Sequence, residues 1–285
     1  MHSASGEFLS GTRDLTFSFI QKSGNLLGMQ ELEKKISSIL ERAGEILLSS
    51  EKNWLRDKPY QGPVTSGDVE VEEFMKGELR KILPAAGFLG EEGGEEGEKE
   101  LRWVLDPVDG TVNYLHSLPH FAISLSLEEK GMPVMGFVYD VWRKELFFAR
   151  KGEGAFLNGK RIKVSGEREL SRSLISTGFP RLPELRERNL RIFCGLLPLV
   201  QSLRRLGSAS LDLAYVACGR LEGFWEIGLN RWDISAGVLL VKEAGGEVTD
   251  FEGETGFLEK RELLATNGKL HGELLSHIQR ILSSP

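Results

Sequence analysis

The sequence predicts an α/β fold, on three observations. Apolar residues recur at helical spacing from Met29 onward, at Leu32, Ile36, Ile39, Leu40, Ala43 and Leu47. Residues 121–164 hold short strand-like runs, FAISLSLEE, VMGFVYD and ELFFAR, separated by turn-forming stretches that include the hairpin pair Asn158-Gly159. Beyond about residue 170, strand-like and helix-like segments alternate, the pattern of helices layered on sheet.

Each element follows in order. Residues 1–28 carry Ser and Gly with weak periodicity and read as an extension outside the main fold. The first helix begins near Met29. Residues 49–68 read as a loop, because they hold two prolines and two glycines. A second helix is expected over about 69–83, stopped by Pro84. The stretch GFLGEEGGEEGEKE (87–100) reads as a short strand and then an acidic, glycine-rich, mobile loop over 93–99. Glu91 and Glu92 directly follow that strand. A further strand over 103–105 ends at Asp106, and the antiparallel meander of 121–164 comes next. After it, SLIST leads to a helix over 182–200, SLRRL to one over 208–218, GFWEI to one over 232–244, and LLATN to one over 269–282. A soft boundary divides 29–168, an α+β half with the antiparallel sheet and the main acidic motif, from 169–285, an α/β half that completes the site.

Composition narrows the function classes. A net charge of −6 gives no support for electrostatic binding of nucleic acid. If the substrate is an anion, a metal ion is the usual means of neutralising local carboxylates. The two cysteines, Cys194 and Cys218, form no CxxC pair and are expected to be buried free thiols, which favours a reducing, cytoplasmic setting. No apolar run approaches the ~18–20 residues of a membrane span, and LTFSFI near the N-terminus is not followed by a cleavage site for a signal peptide.

The chemistry concentrates in WVLDPVDGTVN (103–113). Pro107 lacks an N–H and biases Asp106 towards extended backbone, so strand pairing should stop there. Asp109-Gly110-Thr111 then turns into a helix-like first turn. Asp106 and Asp109 can therefore converge at the carboxyl end of one strand, while Gly110 allows close backbone approach to a ligand. Two adjacent carboxylates resist joint ionisation unless a cation lies between them, and hard oxygen ligands suit Mg²⁺. A capped surface turn is the plain alternative. Glu91 stands at the end of another strand, Glu226 at the end of GFWEI, and Asp233 at the start of a helix, where an acid is commonly just a cap or dipole partner.

Together these segments resemble the inositol monophosphatase family of Mg²⁺-dependent, lithium-sensitive phosphatases. The shared pattern is Gly-Glu-Glu, then Asp-Pro-x-Asp-Gly-Thr-x-Asn, then Trp-Asp-x-Ser-Ala-Gly. LPHFAISLSL, RRLGSASLDLAYVACGRLEGFWEIGLNRWDISAG and EAGGEVTDF are also similar to the bacterial members, and the resemblance covers about 29–282. It implies a layered α/β/α/β/α sandwich, a homodimer and a site assigned residue by residue. Glu91, Asp106 and the Val108 carbonyl match the ligands of a first metal. Asp106, Asp109 and Asp233 match those of a second. Thr111 and Glu91 match the groups that orient the attacking water, with Asp68 supporting them and Lys58 matching the active-site lysine. The amides of Gly110 and Thr111 match a phosphate cradle, which Asp109 faces. Gly207, Ser208, Ala209 and Glu226 match the pocket for the alcohol part of the substrate.

The resemblance implies hydrolysis of inositol-1-phosphate by a metal-activated water, without a covalent intermediate. Fructose-1,6-bisphosphatase activity, alone or as a second activity, is the sibling reading. A third reading is association with the transcription machinery or ribosomal RNA processing, as some bacterial relatives show. His116 and His120 read as structural or surface residues rather than bases.

Overall fold

Two helices, α1 (Met29–Ser49) and α2 (Ser66–Ile82), open the described chain. The computed structural model describes residues 28–59 and 62–283, so the reading of 1–28 as an extension lies outside the described residues except for Gly28, which stands at the start of α1. Ile36, Leu40, Ala43 and Leu47 of α1 are fully buried, and they join Val71, Met75 and Leu79 of α2 in one apolar cluster. The spacing that predicted α1 is thus the stripe it buries. The helix α2 starts earlier than expected. The Thr65 hydroxyl accepts the Asp68 N–H at 3.3 Å, and the Asp68 carboxylate accepts the Thr65 N–H at 2.8 Å.

Between these helices the expected loop is instead a hairpin, β1 (Trp54–Lys58) and β2 (Gly62–Thr65), paired antiparallel. All of β1 except Lys58 is exposed, so no apolar alternation marks it in the sequence.

The larger sheet is built from β3 (Gly87–Gly90), β4 (Gly94–Glu96), β5 (Leu101–Asp109), β6 (Ala122–Glu129), β7 (Met132–Asp140), β8 (Glu145–Arg150), β9 (Gly154–Leu157) and β10 (Lys160–Ile162). Its order is β10-β9-β8-β7-β6-β5-β3-β4, antiparallel except for the β3–β5 pair. Two expectations are corrected here. Part of the acidic loop is the edge strand β4, where Lys76 and Arg80 hold Glu96 while Lys99 and Arg102 hold Glu95. Opposite charges therefore offset the repulsion that suggested mobility. The strand through Asp106 also runs on to Asp109, with an irregularity between them against β6. Pro107, which has no N–H to give, occupies that irregular stretch.

The smaller sheet is made of β11 (Leu174–Thr177), β12 (Ser202–Arg204), β13 (Gly223–Ile227), β14 (Glu247–Thr249) and β15 (Glu262–Thr266), in the order β12-β11-β13-β15-β14. Its helices are α4 (Pro183–Leu196), α5 (Ala209–Ala217), α6 (Arg231–Glu243), the short α7 (Phe257–Lys260) and α8 (His271–Ser283), and the one-turn α3 (Thr111–Leu115) follows β5. The short β14 and α7 have no counterpart in the sequence reading.

The layers are α1 and α2, the larger sheet, α5 and α6, the smaller sheet, and α4 with α8. This is the α/β/α/β/α sandwich expected. The helices α5 and α6 lie between the two sheets, so α5 is buried throughout and is largely apolar, with Ser210 and Asp212 as its polar side chains. Strands β6 and β7 are buried almost end to end because helices cover both faces. Among the described residues no helix is long and apolar enough to cross a membrane. Both cysteines are free, but neither is fully buried as expected: Cys194 is exposed and Cys218 half-buried.

Candidate active site

The parallel pairing of β3 with β5 sets the centre of the site. Gly90 stands opposite Leu105, and the Glu91 N–H donates to the Leu105 carbonyl at 3.2 Å. Glu91, directly past the carboxyl end of β3, and Asp106, within β5, therefore stand side by side on neighbouring parallel strands. Asp106 accepts the Val108 N–H at 3.0 Å. The chain then turns at Gly110, whose φ of +98° lies in the left-handed region. A Cβ there would stand 3.1 Å from the His120 carbonyl oxygen and 3.2 Å from that of Gly207, so glycine also permits the close approach of these segments. Asn113 of the same motif donates to the His120 carbonyl at 2.8 Å and the Leu206 carbonyl at 2.9 Å, which ties α3 to the segment leading into α5.

Asp109 fastens that segment. One of its oxygens accepts from the Ser208 hydroxyl at 2.7 Å, the Ser210 N–H at 2.7 Å and the Ser210 hydroxyl at 2.5 Å, and the other accepts the Ala209 N–H at 3.2 Å. Ser208 and Ala209, read from sequence as part of the alcohol pocket, line the cleft but spend these donors on Asp109. Asp233 enters from α6, where its carboxylate accepts the Asn230 N–H at 2.6 Å. The start of α6 is fixed by Arg231, which reaches the buried Glu128 of β6 at 3.0 Å.

Glu91, Asp106, Val108, Asp109, Gly110, Thr111, Gly207, Ser208, Ala209, Glu226 and Asp233 all line one cleft of about 200 Å³. Asp68 and Lys58 stand behind its wall. The Thr111 hydroxyl donates to the Val108 carbonyl at 2.9 Å and lies 3.5 Å from Asp68. Lys58 donates to the Glu91 carbonyl at 3.1 Å, the Glu91 carboxylate at 3.3 Å and Glu92 at 2.5 Å. Glu226, at the end of β13, fills space left by Gly178, where a Cβ would lie 2.0 Å from its carboxylate.

The electrostatics are those of crowded acids. Burial, then the charges of Glu91, Asp109 and Asp233, raise the Asp106 carboxyl well above its ordinary range. Burial and Glu91 do the same to Asp233. Burial raises Asp109 against the pull of its serine donors. Burial pushes Glu91 up to about 7 despite Lys58, and Asp68 up to about 6 despite Thr65. Glu226 is pushed up to about 8 by burial, with Asp212 adding to it.

Among the described residues no three His, Cys, Asp or Glu side chains are already arranged as a metal cage. Each acid is turned onto a protein donor instead, as its separate hydrogen bonds record. The donor set nonetheless fits a divalent hard cation: four carboxylates meet in one cleft, and the charges of Glu91, Asp109 and Asp233 all add to the raised pKa of Asp106.

Three neighbours escaped the sequence reading. Asp212, a buried acid in the otherwise apolar run ASLDLAYVA, and Arg205 both line the cleft. Asp212 was the only one with a local signal, a charge inside an apolar helix. Glu72 lies behind Glu91 and carried none. His116 and His120 do not line the cleft. The His120 ring packs edge-on against Tyr215 at 5.9 Å, consistent with a structural part.

A layered α/β/α/β/α sandwich with an acidic, anion-sized cleft at its strand ends defines the class: a phosphatase of the inositol monophosphatase fold. A profile of the Inositol monophosphatase family matches residues 28–283, and the chain belongs to that family. It is 43% identical over 249 residues to the Nus factor SuhB of Pseudomonas aeruginosa, covering 83% of this chain and 92% of that one. It is 42% identical over 224 residues to the inositol-1-monophosphatase of Mesorhizobium japonicum, covering 78% and 84%. The crystal structure of the extragenic suppressor protein suhB from Bartonella henselae superposes with a TM-score of 0.83 at 38% identity, over 87% of this chain and 98% of that one.

Proposed function

We propose that this protein is a Mg²⁺-dependent inositol-1-monophosphatase, releasing inositol and phosphate from the monoester and water. The observation that carries the reading is the convergence of Glu91, Asp106, Asp109 and Asp233 in one cleft. Buried like charges of that number need a cation to be ionised together. Glu91, Asp106 and the Val108 carbonyl would hold one ion, and Asp106, Asp109 and Asp233 a second. When bound, Mg²⁺ supplies neutralisation of the phosphoryl oxygens and acidifies a coordinated water.

The chain's own groups do the rest. Thr111 and Glu91 orient the attacking water, and Asp68 holds Thr111 in place. Lys58 donates to Glu91 and Glu92 and holds its own charge beside them, for although burial opposes that charge, the two glutamates outweigh burial and raise its pKa. The amides of Gly110 and Thr111 cradle the phosphate. Glu226 accepts hydrogen bonds from the hydroxyls of the leaving alcohol, beside Gly207 and the segment Ser208–Ala209. The protein works in the cytoplasm as a homodimer.

The test is phosphate release from inositol-1-phosphate, fructose-1,6-bisphosphate and 3′-phosphoadenosine-5′-phosphate with Mg²⁺ titrated. Preferred turnover of the first supports the reading, and preferred turnover of the second supports the sibling one. Similarity at 43% to a protein named as a Nus factor supports a second role alongside catalysis, association with the transcription machinery. Pull-down with RNA polymerase tests it.

A further inference from the structure

The turn that carries Glu91 is held from behind by an acid outside the cleft. Glu72, on α2, is 5% exposed. Its two carboxylate oxygens accept the N–H of Glu92 at 2.9 Å and that of Gly93 at 2.5 Å. These are the two residues directly after Glu91. Glycines make room for the contact. A Cβ at Gly90 would lie 2.5 Å from one Glu72 oxygen, and a Cβ at Gly93 would lie 2.8 Å from the other. The carboxylate thus occupies the space that side chains would take on both sides of Glu91. From the front, the Leu105 carbonyl holds the Glu91 N–H at 3.2 Å.

We propose that Glu72 is a positioning residue for metal binding: it clamps the turn 91–93 and so fixes the direction in which Glu91 presents its carboxylate. This rests on the reading of Glu91 as a metal ligand. Chemistry explains the residue type. Two N–H donors converge on the side chain, and only a carboxylate offers an acceptor at both oxygens. Glutamine would satisfy one amide and turn a second donor towards the other. Burial alone would be met more cheaply by an apolar side chain, because a carboxylate beside Glu91 and Glu92 adds repulsion. The two amides are what that acid gains. Partners that orient a ligand in this way typically shift metal affinity by about 10–100-fold when removed.

The experiment uses four variants of the full chain: Glu72→Gln, Glu72→Ala, Gly90→Ala, and the double variant Glu72→Ala with Gly90→Ala. Mn²⁺ binding is measured by electron paramagnetic resonance without substrate, stability by urea midpoint, and turnover by phosphate release against Mg²⁺. Glu72→Ala should weaken Mn²⁺ binding and raise the half-activating Mg²⁺ concentration by about 10–100-fold, with kcat at saturating Mg²⁺ within about tenfold of wild type. Glu72→Gln should fall between, and amide exchange at Glu92 and Gly93 should quicken in both. Gly90→Ala should lower the urea midpoint, because the new methyl displaces Glu72. The double variant should regain part of that midpoint, since the space is vacated, yet keep the weak Mn²⁺ affinity.

A merely structural role predicts that affinity recovers with stability in the double variant. That result overturns the proposal, as does wild-type Mn²⁺ affinity in Glu72→Ala. Wild-type protein that binds no Mn²⁺ overturns the ligand reading and this proposal together. Wild-type binding with unaffected Glu72 variants overturns this proposal alone.

Discussion

Replacing Asp109 by asparagine separates the two tasks the structure gives this side chain. As an acid it contributes charge to the cleft. As an acceptor it fastens β5 to the start of α5 through four hydrogen bonds. In the Asp109→Asn variant the amide oxygen can keep the three bonds now made by one carboxylate oxygen, those from the Ser208 hydroxyl and from the N–H and hydroxyl of Ser210. The new NH₂ must then face the Ala209 N–H, now 3.2 Å from the other oxygen, so that bond is lost and two donors confront each other. An unmet buried donor costs about 1–3 kcal/mol, and the three surviving bonds lose the strengthening that a charged acceptor provides. Against this, one of the mutually repelling charges of the cleft disappears. The opposed terms leave a net stability change within about 2 kcal/mol, and the variant stays folded. Turnover has no such compensation. The fall should reach at least a thousandfold, which corresponds to about 4 kcal/mol of barrier. Urea unfolding followed by two probes gives the first quantity, and phosphate release at saturating Mg²⁺ the second. Turnover within tenfold of wild type would refute the assignment of Asp109 to the reaction. A folded fraction near zero would show that the clamp on α5, not charge, dominates this residue.

Other outcomes follow from the same geometry. Glu226→Gln should change preference among sugar phosphates more than the Mg²⁺ requirement, so a large rise in that requirement with unchanged substrate KM would count against its place in the alcohol pocket. Gly178→Ala should act in the same direction, because the added Cβ meets the Glu226 carboxylate at 2.0 Å; a kcat/KM for inositol-1-phosphate equal to wild type would contradict it. The pH dependence of metal-free stability has a definite sign. Asp68, Glu91 and Glu226 have folded pKa values of about 6, 7 and 8, all raised from ordinary carboxylate values, so between those values and about pH 4 the folded chain binds more protons than the unfolded one. Their stabilising contribution is complete below about pH 4 and is lost as pH rises to 8, by on the order of a few kcal/mol for each group. Urea midpoints from pH 5 to 8 should therefore fall without divalent metal, and Mg²⁺ should largely remove the slope; a midpoint that rises with pH in metal-free buffer would reject the crowding of acids. Deleting residues 1–27 should leave phosphate release unchanged, since the family match begins at 28 and the apolar face of α1 is already covered; an insoluble or inactive truncated protein would oppose this.

The sequence by itself determined the features that depend on near neighbours. The period of α1, the short strand-like runs of β6 to β8 between turn-forming stretches, the Asn158-Gly159 turn and the Asp-Pro-x-Asp-Gly-Thr stretch each carry their signal within a few residues, because side-chain period and turn chemistry are local. Wherever a segment's state depended on what covers it, local reading failed. Hairpin β1–β2 is mostly exposed on its first strand and shows no alternation. The glutamates of β4 suggest repulsion until Lys76, Arg80, Lys99 and Arg102 are placed around them. The candidate site divides in the same way. Asp106 and Asp109 could be paired from their spacing. Only tertiary packing places the rest: the parallel registration of β3 on β5 puts Glu91 beside Asp106, and the contacts of α6 on β6, among them Arg231–Glu128 and Ser235–Glu128, set where Asp233 enters the cleft. Glu72 and Arg205 stayed invisible because their partners are backbone amides and charges that tertiary packing alone brings near. Spacing along the chain fixes which residues a turn can gather, whereas the stacking of two sheets about α5 and α6 decides which distant turns share one cleft.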